Sequence, residues 1–208
     1  MELLSHFITV FLGFFAIMNP VANTPVFLAL VGEQDRDTQK VVARKALLLA
    51  FAITCCFCLL GNTIFHLFGI SLPAFRLAGG VLVALVGYQM LHGEPSSVQQ
   101  PSRGDAQSAR ESSLSIAISP LAVPMLAGPG TIATAVNYAA SGDLRETILV
   151  ALAFGLLCLV TYGFFMLGNQ LQALIGKNGI KVITRLMGLI LTVIGAQLII
   201  EGVKGAIN

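Results

Sequence analysis

Charge is what this chain most lacks. Only 11% of its 208 residues are Asp, Glu, Lys or Arg, whereas 56% are hydrophobic and the mean hydropathy is +0.85. A soluble domain carries about 25% charged residues and uses them to cover its surface. Twelve Lys and Arg with ten Asp and Glu are too few to do that here, which excludes a soluble domain and makes lipid the partner that composition implies. A formal net charge of +2, carried by basic residues scattered between apolar runs, excludes a nucleic-acid partner.

Further absences narrow the function. Glu2 stands where a cleavable leader would have a basic segment, and no small-residue cleavage site follows, so the first apolar run is expected to remain as a span. The four cysteines, Cys55, Cys56, Cys58 and Cys158, lie in apolar stretches and are expected to pack as small hydrophobes without a disulfide. Cys55 and Cys58 form a C-x-x-C, but a zinc or redox site needs a loop and further ligands that the neighbouring sequence does not supply. No Asp or Glu falls inside the long apolar runs, and His6, His66 and His92 fall near their ends, so no intramembrane carboxylate relay is visible. Ser119 has no base beside it, and no H-E-x-x-H occurs. An enzyme, a cofactor and a metal site are therefore not expected.

What remains is a series of charge-free runs: residues 3–32, 46–75, 77–93, 112–142, 147–176 and 186–200. Roughly 17–25 apolar residues cross a bilayer as a helix. Open sheet edges are excluded from lipid, and the alternation of barrel strands is absent. The expected fold class is an all-α integral membrane protein of six transmembrane helices. Arg36, Lys40, Arg44, Lys45, Arg103, Arg110, Lys177, Lys181 and Arg185 fall on one side, against Arg76, Arg145 and Lys204 on the other. The first side is expected to be cytoplasmic, with both termini periplasmic and Arg76 and Arg185 free to snorkel from helix starts. Residues 93–113, rich in Ser, Gln, Pro and Gly, read as a flexible cytoplasmic linker between a first repeat, 1–92, and a second, 114–208.

The halves resemble each other. Asn19-Pro20-Val21-Ala22 with Pro25 has a counterpart in Ser119-Pro120-Leu121-Ala122 with Pro124. Arg76-Leu77-Ala78-Gly79 leading to Gly87-Tyr88-Gln89 has one in Arg185-Leu186-Met187-Gly188 leading to Gly195-Ala196-Gln197. Three spans per unit is odd, so the second unit enters from the opposite face and the expected arrangement is a 3+3 inverted repeat.

The first and fourth runs are expected to be broken helices. Pro20 and Pro25 interrupt the first, and Pro120, Pro124 and Gly128-Pro129-Gly130-Thr131 the fourth. Asn19, Asn23 and Thr24 carry side chains able to replace lost backbone partners. Unwound backbone at membrane depth belongs in protein or beside a wet cavity, and paired breaks in inverted halves point to a transporter's central site. A helix restarting after Gly128 suits a carboxylate, and carbonyls ending the preceding helices suit an ammonium or a cation. The expected site takes a small zwitterionic solute, contacted by Asn19, Asn23 and Thr24 from one half and by Ser119, Gly128, Gly130 and Thr131 from the other. Pro20, Pro25, Pro120, Pro124 and Pro129 hold the backbone. A proton or sodium is the coupling cation to consider. The other readings are an exporter or channel for another small solute, or a structural membrane protein, for which Ala78, Gly79, Gly80, Ala84 and Gly87 offer a close-packing face.

The sequence resembles the MarC family of bacterial inner-membrane proteins, also called the small neutral amino acid transporter family, over nearly its whole length. Asn19-Pro20-Val21 with Pro25-Val26-Phe27, Phe68-Gly69-Ile70-Ser71 with Phe75-Arg76-Leu77-Ala78-Gly79-Gly80, Pro120-Leu121-Ala122-Val123-Pro124 with Ala127-Gly128-Pro129-Gly130, and Arg185-Leu186-Met187-Gly188-Leu189 carry the likeness. The resemblance implies six spans in a bacterial inner membrane and transport of small neutral amino acids such as glycine and alanine. Some members have Asp at the position of Asn19, which implies that no acid is required there. A looser similarity to LysE-type amino acid exporters leaves export open beside uptake.

Overall fold

A computed structural model describes residues 2–32, 34–92, 121–122, 125–139 and 143–207. These form seven helices: α1 (Glu2–Met18), α2 (Pro20–Val31), α3 (Arg36–Phe68), α4 (Leu72–His92), α5 (Pro129–Ala139), α6 (Leu144–Met166) and α7 (Gly168–Ile207). No strand occurs among the described residues. Among the described residues, five stretches are long and apolar enough to cross a membrane: Leu3–Val31, Arg36–Gly61, Leu72–His92, Leu144–Met166 and Asn178–Ile207. They fall on the first, second, third, fifth and sixth charge-free runs. Of the fourth run, α5 is the described helix, and its 11 residues reach about 16 Å. The linker 93–113 lies outside the described residues, as do Ser119, Pro120 and Pro124.

Several boundaries differ from the sequence expectation. The third span begins at Leu72, so Arg76 stands a turn inside the helix instead of opening it. Ser71 starts that helix, with its hydroxyl accepting from the Ala74 amide at 3.3 Å and its carbonyl from the Phe75 amide at 3.0 Å. Pro73 falls in the first turn, where a missing N–H costs nothing. The sixth span is not confined to 186–200 but runs from Asn178 to Ile207 and takes in Lys181, Arg185, Glu201 and Lys204, whose long side chains reach past a membrane-embedded backbone. Pro25 does not break the first span, because α2 continues through it. Gly176, with φ 70° and ψ 164°, divides α7 instead, a left-handed conformation that glycine adopts without penalty.

Fully buried Phe14, Phe27, Phe154 and Phe165 form the middle of the core. Phe14 lies 5.0 Å from Phe154, and Phe27 stacks on Phe165 at 4.3 Å, ring contacts that add about 0.5–1.5 kcal/mol beyond their area. Leu48, Leu152 and Leu159, all more than half exposed, face outward. Helices apolar on every side belong in lipid.

The tightest packing joins α4 to α7. A Cβ on Gly80 would lie 2.8 Å from the Gly195 carbonyl oxygen, and one on Gly87 would lie 2.7 Å from that of Gly188. Gly202 meets the Pro73 carbonyl at 2.9 Å in the same way. The residue number rises along one helix as it falls along the other, so the pair is antiparallel with its backbones in contact. At the start of α3, the Thr38 hydroxyl and amide hold the Asp35 carboxyl below its ordinary value, as suits an acid at a helix N-terminus.

Candidate functional site

Pro20 brings no N–H to the helix ladder, and the chain breaks one residue before it. Asn19 takes φ 41° and ψ 71°, the left-handed region, alone among the described non-glycine residues. Asn is the residue other than glycine that visits this region most readily. Its Oδ1 accepts from the Ala22 amide at 3.2 Å and its carbonyl from the Asn23 amide at 3.0 Å, so it caps α2 with Pro20 at the first helical position. Asn23 Nδ2 donates to the Met18 carbonyl at 2.6 Å, and Thr24 Oγ1 donates to that of Pro20 at 2.7 Å. These polar side chains therefore repair the backbone on both sides of the break. Asn19 Nδ2 is the exception, being buried without a hydrogen-bond partner. An unsatisfied buried donor costs about 1–3 kcal/mol.

A second proline-started helix is α5. Gly128 accepts the Ile132 amide at 3.0 Å, placing Pro129 at the first helical position of α5, with Gly130 and Thr131 buried in its first turn. Before it, the Ala127 amide reaches the Ala122 carbonyl at 2.9 Å, a wide turn looser than α-helix. A Cβ on Gly130 would lie 2.7 Å from Cδ1 of Ile17, so the start of α5 abuts α1 two residues before Asn19. The structure thus brings Gly130 against Ile17, in the last turn of α1, and buries Asn19, Asn23 and Thr24 just beyond that turn. The void beside Thr24 and Pro25, lined by Phe164, Leu171 and Gln172, holds only about 10 Å³. Its lining comes from α2, α6 and α7, and the start of α5 takes no part in it.

Open space lies elsewhere. A cavity of about 620 Å³ is lined by His6 and Thr9 of α1, Arg76 of α4, Thr134, Asn137 and Tyr138 of α5, Glu146 of α6, and Gln197 and Glu201 of α7. His6 Nε2 and Glu146 Oε2 form a 2.9 Å ion pair when the imidazole is protonated. Arg76 Nε donates to Asn137 Oδ1 at 2.9 Å, and Gln197 Nε2 to Glu201 Oε1 at 3.2 Å. Thr134 Oγ1 is buried without a partner. Nothing in the sequence groups these residues: Arg76 reads as a charge at a helix start, and only the packing of α4 on α7 brings it to one cavity with Glu201. A groove of about 850 Å³ between α3 and α6 is lined almost wholly by apolar side chains, with Arg44 at its edge, and faces outward to lipid.

The His92 ring lies tilted against that of Tyr88, with centroids 4.2 Å apart. Cys58 and Cys158 are buried and Cys56 is exposed, and all four cysteines are free thiols.

The profile of the MarC family, described as MarC family integral membrane protein, matches residues 4–207. A UPF0056 membrane protein of Pyrococcus horikoshii is 38% identical over 99% of this chain and 98% of its own. The UPF0056 membrane protein YvbG of Bacillus subtilis is 36% identical over 97% and 95%, and the UPF0056 inner membrane protein MarC of Escherichia coli is 33% identical over 90% and 89%. No solved structure gives a significant match.

Proposed function

Since the chain belongs to the MarC family of integral membrane proteins, we propose that it is a secondary transporter of small neutral amino acids, of glycine or alanine size, resident in a bacterial inner membrane. Its central site lies between the broken first and fourth helices. The observation that carries this reading is the start of α5 at Pro129 packed against the last turn of α1, where a Cβ on Gly130 would lie 2.7 Å from Ile17 Cδ1, with the amide of Asn19 two residues further on buried and unpartnered. A transporter gains from such a break because helix starts and released carbonyls bind opposite ends of a zwitterion. The void of about 10 Å³ beside Thr24 and Pro25 is too small for a solute and fits a resting arrangement, which a solute enters only when helices rearrange.

The same reading organises the molecule as six spans in a 3+3 inverted repeat. Two observations support it. The sequence offset that carries Arg76 onto Arg185 also carries Pro20 onto Pro129, so the starts of α2 and α5 become counterparts. The antiparallel contact of α4 with α7 pairs Gly80 with Gly195 and Gly87 with Gly188, a pattern that a two-fold exchanging the halves would map onto itself. In this register Asn19 corresponds to Gly128, and Ser119-Pro120 lies earlier in its half.

The test is uptake of labelled glycine and alanine into proteoliposomes under imposed proton or sodium gradients. Wild type is expected to show saturable, gradient-driven flux. Asn19→Gly keeps the left-handed backbone and removes the amide, so it is expected to lower flux at least tenfold with the protein still folded. Flux that never saturates or ignores amino acids would favour a channel or exporter of another solute. Absence of flux under every gradient would leave a structural protein.

A further inference from the structure

We propose that the cavity bounded by Arg76, Glu201 and Thr134 is a second, peripheral binding site for a small amino acid zwitterion, with its carboxylate on Arg76 and its ammonium on Glu201. This rests on the reading of the solute as a neutral amino acid and places a docking position outside the closed break.

Four observations converge. Arg76 donates through Nε to Asn137, which fixes the plane of the guanidinium, and no carboxylate of the described residues forms an ion pair with it. A guanidinium fork oriented in this way matches a carboxylate with two parallel hydrogen bonds. Glu201 accepts from Gln197 and likewise has no cation beside it among the described residues, while the other carboxylate of the cavity, Glu146, already faces His6. The two unpaired charges stand at one level, because Gly202, next to Glu201, packs on Leu77, next to Arg76, and on Pro73 one turn earlier. Thr134, 3% exposed, lines the same cavity with an unpartnered hydroxyl. Separated charges and an orphan hydroxyl in a partly desolvated space cost stability while empty, and a ligand bearing both charges relieves all three. The volume of about 620 Å³ lies within the range of small-molecule sites.

The experiment is equilibrium binding of labelled glycine to the purified full chain in detergent, with acetate and ethylammonium as single-charge competitors. Wild type is expected to bind saturably and to be competed by both. Arg76→Gln is expected to weaken glycine binding at least tenfold and to lose competition by acetate. Glu201→Gln is expected to weaken it similarly and to lose competition by ethylammonium. Arg44→Gln, on the groove between α3 and α6, should bind as wild type. Unchanged affinity in both cavity variants, or no saturable binding by wild type, overturns the proposal. In case Arg76→Gln does not fold, wild type is treated with phenylglyoxal and its peptides weighed. Protection of Arg76 by glycine, with Arg36 unprotected, supports the site, and equal modification with and without glycine overturns it. Binding and protection without uptake would remove the transport reading and leave this site standing. Uptake with glycine bound equally by Arg76→Gln and Glu201→Gln would do the reverse.

Discussion

Position 19 has two requirements that few side chains meet together: a left-handed backbone and an oxygen for the Ala22 amide. Asn19→Gly retains the first and loses a cap at a cost of only a few tenths of a kcal/mol. Asn19→Ala loses the cap, about 1 kcal/mol, and adds the left-handed penalty of about 1–2 kcal/mol. Thermal unfolding in detergent is therefore expected to rank wild type near Asn19→Gly and both well above Asn19→Ala; equal midpoints for the two variants would contradict the strained conformation. The break itself was legible, since proline punctuates a helix wherever it occurs. The orphaned Nδ2 was not, because whether an amide finds a partner depends on residues brought near by packing. Arg76 illustrates the same gap: its charge is plain in the sequence, but its nearness to Glu201 exists only once α4 lies on α7.

At the level of elements, span positions were readable from where charge is absent, and span ends were not. Lys181 and Arg185 sit inside the last span because a long aliphatic stem lets the charge reach water from an embedded turn. Pro25 stays within α2 while Thr24 and Asn23 satisfy carbonyls around the nearby break. The small-residue face of α4 was also legible, but the identity of its partner was not. A methyl group tests that partnership. Gly87→Ala puts a Cβ 2.5 Å from the Thr192 backbone nitrogen, where two backbones must separate, and overpacking of this kind costs typically 1–3 kcal/mol. Gly163→Ala meets nothing within 4 Å and gains up to about 1 kcal/mol of helix propensity. Melting is expected to fall for the first and to hold or rise for the second. If both behave alike, α4 and α7 do not touch through their backbones.

For the whole molecule, His6 near the N-terminus and Glu201 near the C-terminus line one cavity, so both chain ends lie on one face. At the other face Arg36 donates to the Met166 carbonyl at 3.1 Å, a cation on the last turn of α6. The loop charges are the ground for expecting the termini on the periplasmic face. In a chain without its native cysteines, single cysteines at Ser5 and Lys204 are expected to react with an impermeant maleimide in intact cells, and one at Gln34 only after permeabilisation. Reversed labelling would invert the orientation, and opposite labelling of Ser5 and Lys204 would place the ends on different faces. The shared face accords with the six spans expected from the sequence, whereas the cavity between the ends could not be anticipated.

The antiparallel seam also sets a schedule for biosynthesis. Gly80 and Gly87 leave the ribosome about a hundred residues ahead of the glycines that will cover them, which at typical elongation rates is on the order of ten seconds. His6 waits longer still, because Glu146 follows it by 140 residues. Through that interval the first three spans stand in the bilayer with their most intimate contact face bare. Final assembly is thus a late event that follows membrane insertion, and a nascent chain halted within residues 93–113 would present the cell with an uncovered helix face.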